Sequence, residues 1–144
     1  MTNRSARTLV LHGIAVIALG LLAGFPYATA VTGGADGETV RAWRMAHLEG
    51  LLNGMLVVAL GAATPLLRLG DAQLRWLRIG ALAAGYGNVL AASLGAATRA
   101  RGLVPEGPLA NWIVYVGFVV AIVGVVLALA IAALGAKRAL SAEA

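Results

Sequence analysis

The 144-residue sequence contains no cysteine, few aromatic side chains and little charge. Without cysteine the chain cannot form a disulfide, a thiolate metal site or an iron–sulfur cluster, so any metal would need histidine or oxygen ligands. Charged residues make up only 12% of the chain and hydrophobic residues 60%, with a mean hydropathy of +0.88. This composition leaves too little polar surface for a water-soluble protein and predicts an integral membrane protein.

The shortage of acidic residues gives a formal net charge of +5, which by itself could suggest a nucleic-acid-binding protein. The arginines, however, lie at the ends of apolar runs and form no basic stripe interleaved with aromatic side chains. Trp43, Trp76 and Trp112 also lie at the ends of such runs, a position typical of the membrane interface. The lipid bilayer is therefore an expected partner, and nucleic acid is not.

Four apolar runs are long enough to cross a membrane. A helix needs about 20 apolar residues to span the ~30 Å hydrocarbon layer, and lipid offers no water to unpaired backbone groups, so helices are expected. The intervening segments, which include TGGADGETVR and TRARGLVPEGP, carry charges and turn-forming residues. The prediction is an all-α, single-domain, up-down-up-down membrane bundle with spans at about 8–31, 43–63, 76–98 and 109–136.

The first span also has features of a cleavable signal peptide. Arg4 and Arg7 precede its apolar core, and Ala28 to Ala30 resembles a signal-peptidase site. The apolar run is long, however, and its removal would leave an odd number of spans. We therefore expect this span to be retained.

The basic residues are divided unequally between the two sides of the membrane. Seven lie on the side that holds both termini and the middle loop, whereas Arg41, Arg44, Arg99 and Arg101 lie on the other. Basic residues are enriched in cytoplasmic loops. The sequence thus predicts a bacterial-type cytoplasmic membrane protein with both termini in the cytoplasm.

Polar residues inside the spans are candidates for a functional site, because they are costly in lipid and usually face a bundle interior or a cavity. His12 and His47 are predicted to lie on the order of 15 Å apart along the membrane normal, which disfavours a site using both within one chain. Asn53 and Asn88 reach a similar middle depth and could converge beneath His47. Either asparagine could instead be an interhelical hydrogen-bonding residue, and His47 a structural interfacial residue.

Gly50 and Gly54 lie on the same helical face as His47 and form a GxxxG pattern. This pattern is typical of close helix packing, although it could also leave a bare strip where a flat ligand approaches the backbone. Glu49 lies one turn before Asn53 on the same face. It could be a protonated interior carboxyl, a partner of His47 or an arginine, or a group lining a wet vestibule.

Several short motifs resemble, in order and spacing, those of the small membrane-bound styrene oxide isomerases. They are HGI at His12 to Ile14, WxxAH at Trp43 to His47, HxxGxxNGM at His47 to Met55, GYGNV at Gly85 to Val89 and RGL at Arg101 to Leu103. The likeness covers helices 1 to 3 and two loops, whereas helix 4 matches only in hydropathy.

This resemblance implies a homotrimer of four-helix subunits with haem b, in the ferric state, between subunits. It implies that His47 is the axial iron ligand, that Asn53 is a polar group beside the substrate, and that Asn88 supports the pocket or its packing. The implied substrate is a small apolar epoxide. Lewis-acid opening of an aryl epoxide followed by a 1,2-hydride shift would give an aryl acetaldehyde.

Physical chemistry agrees with several of these implications. Imidazole suits iron, and a haem held by one histidine keeps a position free for chemistry. Four short helices cannot easily surround a macrocycle, which favours a site at a subunit interface. Gly50 and Gly54 could admit the macrocycle beside His47. The arginines at the level of His47 could pair with haem propionates or be ordinary flanking charges: Arg41, Arg44, Arg99 and Arg101.

The sequence departs from the family pattern at Ala92, where a tyrosine is expected one helical turn after Asn88 to hydrogen-bond the substrate oxygen. Neither Tyr86 nor Tyr115 is an evident replacement. Two other functions therefore remain open. They are a non-catalytic haem-binding or electron-transfer membrane protein, and a cofactor-free transporter or packing subunit with Glu49 as its coupling carboxyl.

Overall fold

Four long α-helices and one short 3₁₀ helix make up the structure, a computed structural model that describes residues 2–142. Each long helix contains a segment long and apolar enough to cross a membrane, and residues 2–142 contain no strand. The predicted all-α, multi-pass membrane fold is confirmed. The helices are α1 (Thr2–Thr32), α2 (Gly37–Ala63), α3 (Asp71–Thr98) and α4 (Leu109–Leu140), and the 3₁₀ helix is Thr64–Leu66.

Three of the long helices begin before their apolar runs, and at α2 a polar capping residue, rather than hydropathy, sets the start. The Asp36 side chain caps α2 by accepting hydrogen bonds from the backbone N–H groups of Glu38 and Thr39 at 3.0 and 2.9 Å. Arg99 ends α3 in the left-handed conformation, with φ of 57°. Helices α1, α2 and α3 begin five or six residues before the predicted spans.

The helices pack mainly in chain order, so that α1 lies on α2, α2 on α3, and α3 on α4. Helix α1 also touches α3, whereas α4 packs chiefly on α3 and is the least buried of the four spans. Fully buried apolar side chains, including Leu9, Val57 and Leu77, fill the centre. Because α2 and α4 flank α3 without packing closely on each other, a cleft opens between them.

Glycine pairs allow the backbones to approach closely. A Cβ built on Gly80 would lie 2.6 Å from the carbonyl oxygen of Gly124, and a Cβ on Gly20 would lie 2.8 Å from the Cα of Gly50. Since lipid tails are as apolar as the helix surfaces, helices in a membrane associate through close packing rather than through hydrophobic burial. The glycines are therefore what holds α1 on α2 and α3 on α4.

Candidate functional site

A cleft of about 900 Å³ lies between α2 and α4, with α3 as its floor. The floor consists of small residues that include Ala92, Gly95 and Ala96, and the wall formed by α4 includes Phe118 and Ile122. This volume falls in the range of about 300–1,000 Å³ that is typical of small-molecule and cofactor sites. The cleft can therefore accept a flat apolar ligand.

The polar part of the cleft is formed by Glu49 and Asn88, which belong to a three-residue hydrogen-bond network. Asn88 Nδ2 donates to Asn53 Oδ1 at 3.0 Å. Asn53 Nδ2 donates to Glu49 Oε2 at 2.6 Å and to the Glu49 backbone oxygen at 2.9 Å. The structure thus brings the two predicted asparagines together, although Asn53 itself does not line the cleft.

Glu49 is half-buried and lines the cleft. Within residues 2–142 it has no cationic partner within 4 Å, so neither His47 nor an arginine pairs with it. Its side chain instead accepts from Asn53. The carboxyl group is therefore tied to the amide network.

His47 lies against α1 rather than in the cleft. Its Nδ1 is 2.8 Å from the carbonyl oxygen of Gly20, and its ring stacks on Tyr27 with centroids 6.2 Å apart. A Cβ at Gly24 would lie 3.0 Å from Nδ1, so the absence of a side chain at this position makes room for the ring. Because a carbonyl oxygen can only accept, Nδ1 is the donor in this contact, and in the neutral ring Nε2 is then the nitrogen with the lone pair. Metal-binding histidines commonly have this arrangement.

Asn53 and Asn88 converge, as predicted, but within one chain they do not share the helix face of His47. Six residues separate His47 from Asn53, which places their side chains about 120° apart around α2. His47 consequently contacts α1, whereas Asn53 contacts α3. Depth along the membrane does not determine which neighbouring helix a side chain meets.

The idea of a bare glycine strip beside His47 also needs correction. Gly50 packs on the backbone of Gly20, and Gly54 packs on Gly13 and Ile17. Both glycines are buried by α1 of the same chain. They serve the close packing of helices and leave no open surface for a macrocycle.

His12 is used elsewhere in the bundle. Its Nδ1 lies 2.8 Å from the hydroxyl of Tyr86, and the two rings meet edge to face. This contact joins α1 to α3 outside the cleft. The structure does not bring the two histidines to a common site.

Arginines and carboxylates surround the polar mouth of the cleft, where Arg41, Arg99 and Arg101 are lining residues. Arg99 pairs with Asp36, and Arg101 with Glu38, each at 3.9 Å and each largely exposed. Hydrogen bonds from Thr39 lower the pKa of Asp36, and Arg99 adds to this effect. Within residues 2–142, Arg41 has no carboxylate partner within 4 Å, which makes it the lining arginine available to an anionic ligand.

Arg44 lies outside the cleft. It borders a shallow depression on the outer surface of α2, beside Leu48 and Leu52. Of the arginines proposed from the sequence as propionate partners, Arg44 is thus the one that the cleft does not include.

Tyr115 is a cleft residue that the sequence motifs do not identify. It lies in the α4 wall of the cavity that also contains Ala92 and Asn88. The available signal is that Tyr115 and Asn111 are polar side chains in an otherwise apolar stretch of α4. Asn111, in contrast, accepts from the backbone of Gly102 at 2.8 Å and so organises the loop before α4.

A family model described as styrene oxide isomerase matches residues 5–137. The match reaches through α4, which the short motifs do not cover, and includes most of the chain. No curated protein matches the chain.

Proposed function

Because this chain belongs to the styrene oxide isomerase family, we propose that it is a membrane-bound isomerase that converts an aryl epoxide to a carbonyl compound with haem b as its cofactor. The observation that carries the cofactor assignment is the His47 imidazole, whose Nδ1 is held by the Gly20 carbonyl oxygen at 2.8 Å. This contact leaves Nε2 as the nitrogen that can bind iron.

The residues present fit a haem in two further respects. The cleft is large enough for a flat macrocycle, and Arg41 at its mouth is available to pair with a propionate. When bound, ferric haem would supply a Lewis acid that weakens the epoxide C–O bond. The apolar α4 wall would exclude water, which would otherwise trap the cationic carbon and give a diol.

A site that uses both His47 and the cleft requires a second copy of the chain, since the two lie on different faces of α2. The proposal therefore includes a homotrimer in which His47 of one copy and the cleft of the next copy hold the haem between them. The exposed apolar side chains of α2, such as Leu48, Leu52 and Met55, supply a surface for this packing. Cyclic symmetry would repeat the site at each interface.

The closest histidine control is His12, which lies in the same bundle but bonds to Tyr86 outside the cleft. Purified protein is expected to show a Soret band that is lost in His47→Ala and retained in His12→Gln. The same protein should convert styrene oxide to phenylacetaldehyde without added cofactor. A Soret band that survives His47→Ala would contradict the ligand assignment, and haem-loaded protein inert towards aryl epoxides would contradict the activity.

Spectra of the oxidised and reduced protein also test the alternative functions. Electron transfer through bis-histidine iron within one chain would need His12 as the second ligand, but His12 is bonded to Tyr86. Six-coordinate iron with reversible reduction would favour that alternative. Colourless protein after expression with sufficient haem would favour a cofactor-free transporter or packing subunit.

A further inference from the structure

The direction of each hydrogen bond in the Glu49 network is fixed by the chemistry of Glu49. The backbone carbonyl of Glu49 can only accept, and it lies 2.9 Å from Asn53 Nδ2. The side-chain oxygen Oε2 of Glu49 accepts the other N–H of the same amide at 2.6 Å. Asn53 therefore has no free donor, and its Oδ1 must face Asn88.

The orientation of the Asn53 amide in turn determines the orientation of the Asn88 amide. Because Asn53 Oδ1 can only accept, Asn88 must present its NH₂ group to Asn53, and the 3.0 Å bond uses one of the two N–H donors. The second N–H of Asn88 has no hydrogen-bond partner within residues 2–142. Asn88 lines the cleft, whereas Asn53 does not.

We infer that Asn88, rather than Asn53, donates a hydrogen bond to the substrate oxygen, and that Glu49 acts through Asn53 as the positioning residue that keeps the Asn88 amide in its donating orientation. This inference rests on the proposed function and identifies the residue that recognises oxygen in the cleft. Ala92, one helical turn after Asn88, presents only a methyl group and leaves space beside the amide.

The chemistry of the isomerisation suits an amide donor. One C–O bond of the epoxide breaks, a hydride moves from the oxygen-bearing carbon to the benzylic carbon, and the C=O bond forms. No proton, electron or second reactant enters or leaves the substrate. A protein group that contacts the oxygen therefore has only to stabilise its charge and keep its own proton.

The kinetic experiment compares wild-type protein with Asn88→Ala, Glu49→Gln and Tyr86→Phe in the haem-loaded state. Removal of one hydrogen bond to a charged oxygen should lower kcat for styrene oxide by roughly 10- to 100-fold in Asn88→Ala. Glu49→Gln replaces the side-chain acceptor with a group that can also donate, whereas the backbone carbonyl of residue 49 still accepts from Asn53. The Asn88 amide is then held less firmly, so kcat should fall by several-fold. Tyr86→Phe removes an interhelical hydrogen bond outside the cleft and should leave kcat unchanged.

A binding experiment separates donation to oxygen from a purely structural role. Acetophenone carries an acceptor oxygen, whereas ethylbenzene has a similar shape without one. Affinities are measured by tryptophan fluorescence, since Trp43 packs against the buried cluster that contains Ala92, a residue of the cleft floor. Asn88→Ala should lose about 3- to 10-fold in affinity for acetophenone, the value of one hydrogen bond, and nothing for ethylbenzene.

The outcomes distinguish this inference from the proposed function. Unchanged acetophenone affinity in Asn88→Ala overturns the inference, as does an oxygen-specific loss that appears in Tyr115→Phe instead. An equal loss for both ligands shows a structural role and also overturns it. A wild-type protein that leaves styrene oxide intact but still prefers acetophenone through Asn88 refutes the proposed activity and supports the donor assignment.

Discussion

The substitution Gly50→Ala tests whether the packing of α1 on α2 controls the His47 imidazole. The new Cβ would meet the Gly20 backbone, lying 2.6 Å from its nitrogen and closer still to its Cα. Ordinary contact begins at about 3.4 Å, so α1 would have to move away by at least about 0.8 Å to clear the nitrogen, and further to clear the Cα. The same movement would stretch the bond from His47 Nδ1 to the Gly20 oxygen from 2.8 Å to about 3.6 Å or more, beyond the usual limit of about 3.2 Å.

The expected cost of this overpacking is about 1–3 kcal/mol, because the clash involves backbone that no side-chain rotation can relieve. Thermal unfolding in detergent and the haem content of purified protein measure the two consequences, and both should fall. Gly37→Ala is the matched control on the same helix, because a Cβ there meets nothing within 4 Å. If the two variants have equal stability and equal haem content, the proposed coupling between packing and His47 is refuted.

Two further predictions concern the cleft and its mouth. Ala92→Leu places a larger side chain on the floor of the cleft and reduces the space for a substrate. The value of kcat/KM should therefore fall more for a naphthyl epoxide than for styrene oxide. An equal loss for both substrates would contradict the assignment of the cleft as the substrate site. Asp36→Ala removes the cap of α2. Because hydrogen bonds in the folded protein lower the pKa of Asp36, the stability that this cap contributes is fully present above the ordinary pKa of about 4. It is lost as the pH falls from there through the lowered pKa. The Tm difference between Asp36→Ala and wild type should therefore shrink from pH 7 to pH 3. A difference that stays constant over this range would contradict the role of the Asp36 carboxylate as the cap.

The all-α fold could be predicted because a membrane-spanning segment has few structural options. Each apolar run had to be helical to satisfy its backbone in lipid, and each lies within one observed helix. The helix starts were less predictable, because Asp36 and its neighbours continue α2 outside the apolar run. Hydropathy measures the lipid-compatible part of a helix and not its capped length.

The candidate site was only partly predictable. The motifs identified His47, Asn53 and Asn88 as residues of interest, and their depth suggested that the asparagines meet. The motifs could not show that Asn53 uses both of its N–H donors on Glu49, because these hydrogen bonds depend on the orientation of side chains within one turn of α2. The motifs do not identify Tyr115 as a cleft residue, because helix 4 is apolar on every side and its sequence gives little indication of which face turns inwards.

The sequence by itself determined that this protein crosses a membrane as four helices, because hydrocarbon admits apolar residues and satisfied backbone and little else. It also determined which polar side chains exist and at what depth. The tertiary structure alone decided which helix each of them faces. His47 turns towards α1, and Glu49 and Asn88 turn into the cleft. The helix that each side chain faces depends on how the helices pair and how each is rotated about its axis, which the glycine contacts influence. The order of apolar residues along the chain does not specify this rotation.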